Sequence, residues 1–171
     1  MKVVQVPMSF YPTRGGAESY VGSLAYGLAK LGEEVLAAAP GRATERYLYA
    51  GLPVQRLAIS PDQPAGLRQA YAAADADFAF RFGHLLDEER PDIIHIHTRT
   101  REISPLLMRE AKRRKIRVLF TYHDPTISCL RGTLMVWGNQ PCDGEIRLGR
   151  CTGCHLHKLG MPRPLANLLR D

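Results

Sequence analysis

Short apolar runs alternate with segments of helical periodicity along most of this chain, and the alternation restricts its fold more than any other feature. Runs that resemble buried strands occupy residues 2–6, 34–39, 54–59, 92–97 and 116–122. Strands that alternate with helices are joined by right-handed crossovers. The sequence therefore predicts an α/β fold, a Rossmann-like and mostly parallel sheet with helices on both faces.

Three helices are predicted from apolar residues that recur at three- and four-residue steps. They cover residues 17–31, 67–86 and 103–113, and Pro91 ends the second because proline cannot continue a helix. No period is sustained after residue 124, so the segment 125–160 is predicted to be irregular.

The composition fits one globular domain. The chain has 171 residues, of which 45 % are hydrophobic, and no apolar stretch approaches the roughly 20 residues of a bilayer-spanning helix. Met1 leads directly into a strand without a signal-peptide pattern, so we expect a cytoplasmic protein. We predict a Rossmann-like domain over 1–124, an irregular cysteine-containing insertion at 125–160 within it, and the start of a helix or linker at 161–171.

A glycine pair lies at the junction between the first strand and the first helix. Gly15 and Gly16 come directly before the helix, and Glu18 lies on its first turn. At such a junction backbone N–H groups can point at an anion, and the helix dipole favours negative charge. The alternative is a tight turn that only needs permissive backbone angles, with Glu18 serving only the helix dipole.

Further polar segments follow two of the other predicted strands. Ligands bind at the carboxyl ends of the strands in parallel α/β sheets. The segments 11–18, 95–99 and 123–124 are therefore predicted to converge on one edge of the sheet. The predicted closeness of these polar segments favours a ligand-binding role for the loop that contains Gly15 and Gly16, which we call the glycine loop.

Three histidines lie in these segments. His95 is predicted to be a hydrogen-bonded core residue, and His97 ends the strand, where it can reach a ligand. His123 stands beside Asp124 after the next strand and is a candidate general base or sugar-binding group. A loop histidine without chemistry is the alternative for His123.

All the cysteines lie in the segment 125–160, whose few periodic apolar residues require another source of order. The spacing is C-x12-C-x8-C-x2-C, and its last pair has the two-residue gap that is common in structural zinc sites. His155 or His157 could replace one sulfur; disulfides, free thiols and a redox pair are the alternatives. The candidate zinc ligands are Cys129, Cys142, Cys151 and Cys154.

The formal net charge is +6, and the basic residues are densest over 109–117, at the end of the third predicted helix. Cations suit the negative end of a helix dipole, so a solvated helix end is the first interpretation. An anionic membrane surface is the second. Nucleic acid is not expected as a partner, because no aromatic residues interleave with the cations to stack bases.

In their order and spacing these segments resemble the amino-terminal domain of family-4 (group 1) retaining glycosyltransferases, which have the GT-B fold. The residues that carry the resemblance are 10–18, 31–35, 91–97 and 120–124. The family usually has histidine where Glu33 stands. The cysteine-bearing stretch resembles a subgroup in which a histidine–aspartate pair precedes a cysteine-rich insertion.

The resemblance implies a function and a set of site residues. Gly15 and Gly16 would approach the diphosphate of a nucleotide-sugar donor, and His123 would lie near the transferred sugar. The acceptor would be a cell-surface polysaccharide or a glycolipid. A second domain of the family grips most of the nucleotide-sugar, and nothing in this sequence matches it, so we expect no transferase activity from these residues alone.

A second hypothesis has the same fold but no catalytic activity. In it the chain is a non-catalytic Rossmann-like binding module whose zinc knob docks a protein partner. A dinucleotide dehydrogenase is disfavoured, because the sequence lacks the G-x-G-x-x-G fingerprint.

Overall fold

The structure is a computed structural model that describes residues 1–12, 15–61, 73–123 and 125–168, apart from the side chain of Thr126. The chain forms two compact units, Met1–Thr121 and Tyr122–Asp171. In the described residues no helix is long and apolar enough to cross a membrane.

The first unit contains a six-stranded sheet. Its strands and helices, in chain order, are β1 (Lys2–Val6), α1 (Gly16–Lys30), β2 (Glu34–Gly41), β3 (Glu45–Tyr49), β4 (Leu52–Ala58), α2 (Ala76–Glu89), β5 (Ile93–Ile96), α3 (Pro105–Arg113) and β6 (Arg117–Phe120). The strand order is β3-β4-β2-β1-β5-β6. Every neighbouring pair is parallel except β3 and β4. The predicted α/β fold with a mostly parallel sheet is confirmed.

Side chains alternate between two cores along the central strands, because successive residues of a strand point to opposite faces. Val4 and Val6 of β1 join the core beneath α2 and α3. Val35 and Ala37 of the neighbouring β2 join the core beneath α1 instead. The sheet is therefore covered by helices on both faces, as parallel sheets require.

The antiparallel strand β3 was not predicted. It pairs with β4 through a two-residue turn at Ala50 and Gly51, whose φ angles are +46° and +83°. Two positive φ angles in a row are typical of the type I′ turn that matches the twist of a hairpin. Over residues 45–49 two charged residues are followed by three hydrophobic ones, so no polar–apolar alternation marked this strand in the sequence.

The helix α2 starts at a buried aspartate. The predicted helix began at Leu67, but residues 67–72 lie outside the described residues, and the described helix begins at Ala76. Asp75, which is 1 % exposed, accepts hydrogen bonds from Phe78 N at 2.9 Å and from Ser60 Oγ at 2.7 Å. Burial raises the pKa of Asp75, but these hydrogen bonds and Arg101 outweigh it and hold the pKa below its usual value. The carboxylate is ionised and caps the helix.

The second unit contains more regular structure than the sequence predicted. It has a 3₁₀ turn (Pro125–Ile127), a two-stranded ladder of β7 (Met135–Val136) and β8 (Gln140–Pro141), and the helices α4 (Leu148–Lys158) and α5 (Arg163–Asn167). The prediction of an irregular segment at 125–160 was wrong for α4. This helix buries a face of Gly153, Cys154 and His155 rather than large apolar residues, so no apolar period marked it.

The core of the second unit is small. Its buried cluster consists of Trp137, Cys154 and Ala166. Gly153 permits the close approach of α4 and α5, because a Cβ atom there would lie 2.4 Å from the Ala166 carbonyl oxygen.

Candidate functional site

The loop between β1 and α1 lies at the point where the order of the strands reverses. β1 pairs with β2 on one side and with β5 on the other. In open α/β sheets the crevice at such a switch point, outside the carboxyl ends of the strands, is where ligands bind. The predicted glycine loop therefore occupies the position that the topology favours for a site.

The helix α1 begins at this loop, and within the described residues no side chain caps it. Gly15 is its N-cap, in an extended conformation. The first intrahelical bond runs from Ser19 N to Gly15 O at 3.1 Å, so the N–H groups of the first turn precede the helical ladder. In a helix of 15 residues these donors and the dipole attract negative charge.

Glycine is accommodated at positions 15 and 16 for different structural reasons. Neither has a positive φ angle in the described backbone, so left-handed geometry does not require them. A Cβ atom on Gly15 would lie 2.4 Å from Oε2 of Glu18, whereas a Cβ atom on Gly16 would meet nothing within 4 Å. Gly15 leaves room for the buried carboxylate, and Gly16 leaves open space at the first helical position.

Glu18 joins the end of β1 to the first turn of α1. Its side chain is 4 % exposed, and its Oε1 atom accepts a hydrogen bond from Ser9 Oγ at 2.9 Å. This pairing fixes the path of the loop between the two elements. The predicted residue thus lies at the site, where it shapes the loop from beneath.

Side chains of β3 and β4 hold the loop at Tyr11. The Tyr47 hydroxyl donates a short hydrogen bond to the Tyr11 carbonyl oxygen, and Nη2 of Arg56 donates to the same oxygen at 3.0 Å. The rings of Tyr11 and Tyr49 stack with their centroids 4.0 Å apart. Tyr47 and Tyr49 were missed in the sequence because β3 was missed, whereas Arg56 lies on the predicted strand β4 and its contact with Tyr11 links residues 45 positions apart.

The two histidines of β5 form a buried polar pair. His95 Nε2 lies 2.7 Å from Thr121 Oγ1, in agreement with the predicted core histidine. His97 is fully buried, and its Nε2 lies 2.6 Å from Oε1 of Gln5. Gln5 of the adjacent strand thus contacts that nitrogen, and a ligand-binding role for His97 stays a prediction.

Of the predicted pair His123 and Asp124, His123 alone lies within the described residues. His123 belongs to the second unit and is exposed, and its role stays a prediction. Asp124 lies outside the described residues.

The four cysteines all lie in the second unit as free thiols lining one cavity of about 30 Å³. Cys154 Sγ accepts from Trp137 N at 3.4 Å and lies 3.7 Å from Met135 O. Burial raises the pKa of Cys129, but the N–H groups of residues 131–134 outweigh it and hold the pKa below its usual value.

The predicted zinc site is not supported by this arrangement. In the part of the chain that the structure describes, which includes all four cysteines, no group of three or more His, Cys, Asp or Glu residues is arranged to hold a metal ion. The spacing brought the sulfurs to one cavity, but it could not specify their orientation, and Cys154 bonds to the backbone instead.

Comparison with known proteins gives one family match. Residues 15–166 match the family described as "Glycosyl transferase 4-like domain". None of the curated proteins compared with the chain matches it. Among solved structures, the UDP-GlcNAc 2-epimerase of Methanocaldococcus jannaschii is similar, with 13 % identity and a TM-score of 0.47. That alignment covers 100 % of this chain, which spans 37 % of the epimerase chain.

The two glycines should respond differently to alanine. Gly15→Ala must displace the Glu18 carboxylate and replaces a favourable N-cap residue, so we expect it to lower the free energy of unfolding by about 1–2 kcal/mol. Gly16→Ala adds a methyl group to open space and should change it by less than about 0.5 kcal/mol. Urea unfolding of both variants measures the difference; equal losses would contradict the assigned role of Gly15.

Proposed function

Because the chain belongs to the family of glycosyl transferase 4-like domains, we propose that it forms the acceptor side of a glycosyltransferase. Membership confirms the resemblance drawn from the sequence and supports a transferase-type function. The proposed reaction moves a sugar from a nucleotide-sugar donor to a cell-surface polysaccharide or glycolipid acceptor.

The observation that carries the proposal is the start of α1. In the part of the chain that the structure describes, no side chain caps the helix at Gly15, and Gly16 leaves open space at the first helical position. A diphosphate needs backbone N–H donors and a close approach to the backbone. We propose that the donor's diphosphate binds there, and that the N–H groups stabilise the negative charge that develops as the diphosphate departs.

The resemblance supplies the remaining roles. His123 is proposed to lie near the transferred sugar, with Asp124 beside it. Both assignments rest on their match to the family's fifth-strand segment. Tyr47 and Arg56 are proposed to act as positioning residues, because they hold the loop at the carbonyl of Tyr11.

The family's second domain is proposed to supply most of the contacts to the nucleotide-sugar. In this family two domains face each other across a cleft in which the substrates bind. The glycine loop is proposed to form part of one wall of that cleft. We therefore expect no turnover of a nucleotide-sugar by these 171 residues without a donor-binding domain.

Turnover by the chain joined to its donor-binding domain tests the proposal. Gly16→Val should fill the space that the diphosphate approaches and lower kcat/KM by about a hundredfold or more. Gly27→Val is the matched control, because Gly27 lies on the same helix and its Cβ position is also open. Turnover by the isolated chain, an inactive joined enzyme, or equal loss in both variants would contradict the proposal.

A cytoplasmic location at the inner face of a membrane is also proposed. Arg109, Lys112 and Lys115 are exposed on or directly after α3, and such clusters attract anionic lipid. The lipid-linked acceptors common in the family are consistent with this location.

Flotation with anionic vesicles tests the membrane proposal. The chain should float at low salt and not at high salt, since salt screens exposed charges. Lys112→Gln should weaken partitioning about fivefold, while Lys30→Gln, an exposed lysine at the end of α1, should not. Absence of flotation at low salt, or an equal effect of both variants, would reject it.

A further inference from the structure

An open cavity of about 320 Å³ lies beside the glycine loop, at the carboxyl end of β2. Its volume is in the range of about 300–1,000 Å³ that is typical of small-molecule sites. We call it the Arg42 cavity; its lining includes Ser9, Phe10, Gly41, Arg42, Glu45 and Arg56. Because Ser9 also donates to Glu18 on the first turn of α1, the cavity adjoins the proposed diphosphate site.

The charges of the cavity do not cancel. Arg56 is engaged: its Nη1 donates to Glu45 Oε1 at 2.9 Å, and its Nη2 donates to the carbonyl oxygens of Phe10 and Tyr11. The Glu45 carboxylate is therefore paired. Arg42 is exposed and forms no ion pair with any described residue. The guanidinium left available to a ligand is that of Arg42.

The wall of the cavity is built around Arg56. A Cβ atom on Gly41 would lie 3.0 Å from Cβ and Cδ of Arg56, so glycine at the end of β2 lets that side chain lie across the sheet. In this position Arg56 neutralises Glu45 and fixes the loop at Phe10. The Ser9 hydroxyl adds a polar group, and buried Phe10 adds an apolar one.

We propose that the Arg42 cavity binds an oxyanionic group, a carboxylate or a phosphate, that is carried by the acceptor sugar. This inference rests on the proposed function, and it narrows the acceptor to an anionic class. A guanidinium pairs with carboxylate and phosphate oxygens through parallel hydrogen bonds. A neutral sugar has no oxyanion with which Arg42 could form these paired hydrogen bonds.

Titration of the chain, followed by the backbone amide resonances in NMR, tests the proposal. The probes are glucuronate, glucose 6-phosphate and glucose at constant ionic strength. The two anionic sugars should shift the amides of Ser9, Gly41 and Ala43 and bind about tenfold more tightly than glucose. Comparison of glucuronate with glucose 6-phosphate shows which oxyanion the cavity prefers.

The control is a second substitution that removes the same positive charge at a distant position. Arg42→Gln should weaken binding of the anionic sugars about tenfold, whereas Arg42→Lys should retain part of the affinity. Arg90→Gln removes an exposed cation at the end of α2 and should leave the affinity unchanged.

Several outcomes would overturn the inference. These are equal binding of glucose, no binding of either anionic sugar, or equal effects of Arg42→Gln and Arg90→Gln. Inorganic phosphate that binds as tightly as glucose 6-phosphate would indicate an adventitious ion only. A separate titration with UDP, followed by the amide resonance of Gly16, tests the proposed diphosphate site. If UDP does not shift this resonance but the anionic sugars still bind, the proposed function is contradicted and anion binding by the Arg42 cavity is not.

Discussion

The pairing of β1 with a parallel strand on each side is the constraint on which the first unit depends. Val4 and Val6 are fully buried on one face, while Gln5 pairs in register with His95 and points to the other. Because the strand is fixed on both sides, its carboxyl end has a fixed position at the switch point. The carboxyl end of β1 in turn positions the glycine loop, Ser9 and the start of α1.

The loop itself is held from two directions. The Ser9 hydroxyl donates to the buried Glu18 carboxylate, and side chains of β3 and β4 donate to the Tyr11 carbonyl oxygen. A backbone held in this way keeps its N–H groups in place without a ligand. Such preorganised donors stabilise developing charge at little reorganisation cost, and this is the role that we propose for the start of α1.

The sequence was informative where regular periods reflect burial. The strands of the parallel sheet were predicted because they are apolar runs, and α1 because its stripe packs on β2. The hairpin strand β3 and the helix α4 were missed because one has exposed positions and the other buries small residues. Burial of His97 could not be foreseen, since its partner Gln5 lies 92 residues away. Neither could the Arg42 cavity, which depends on how Arg56 crosses Gly41.

We propose that the start of α1 binds the diphosphate of the donor. Titration with UDP and with uridine, followed by the amide resonances of Gly16 and Ala17, tests this binding. UDP should shift both resonances and uridine should leave them unmoved, because only UDP carries the diphosphate. Equal shifts with uridine, or UDP binding that leaves both amides unmoved, would contradict the account.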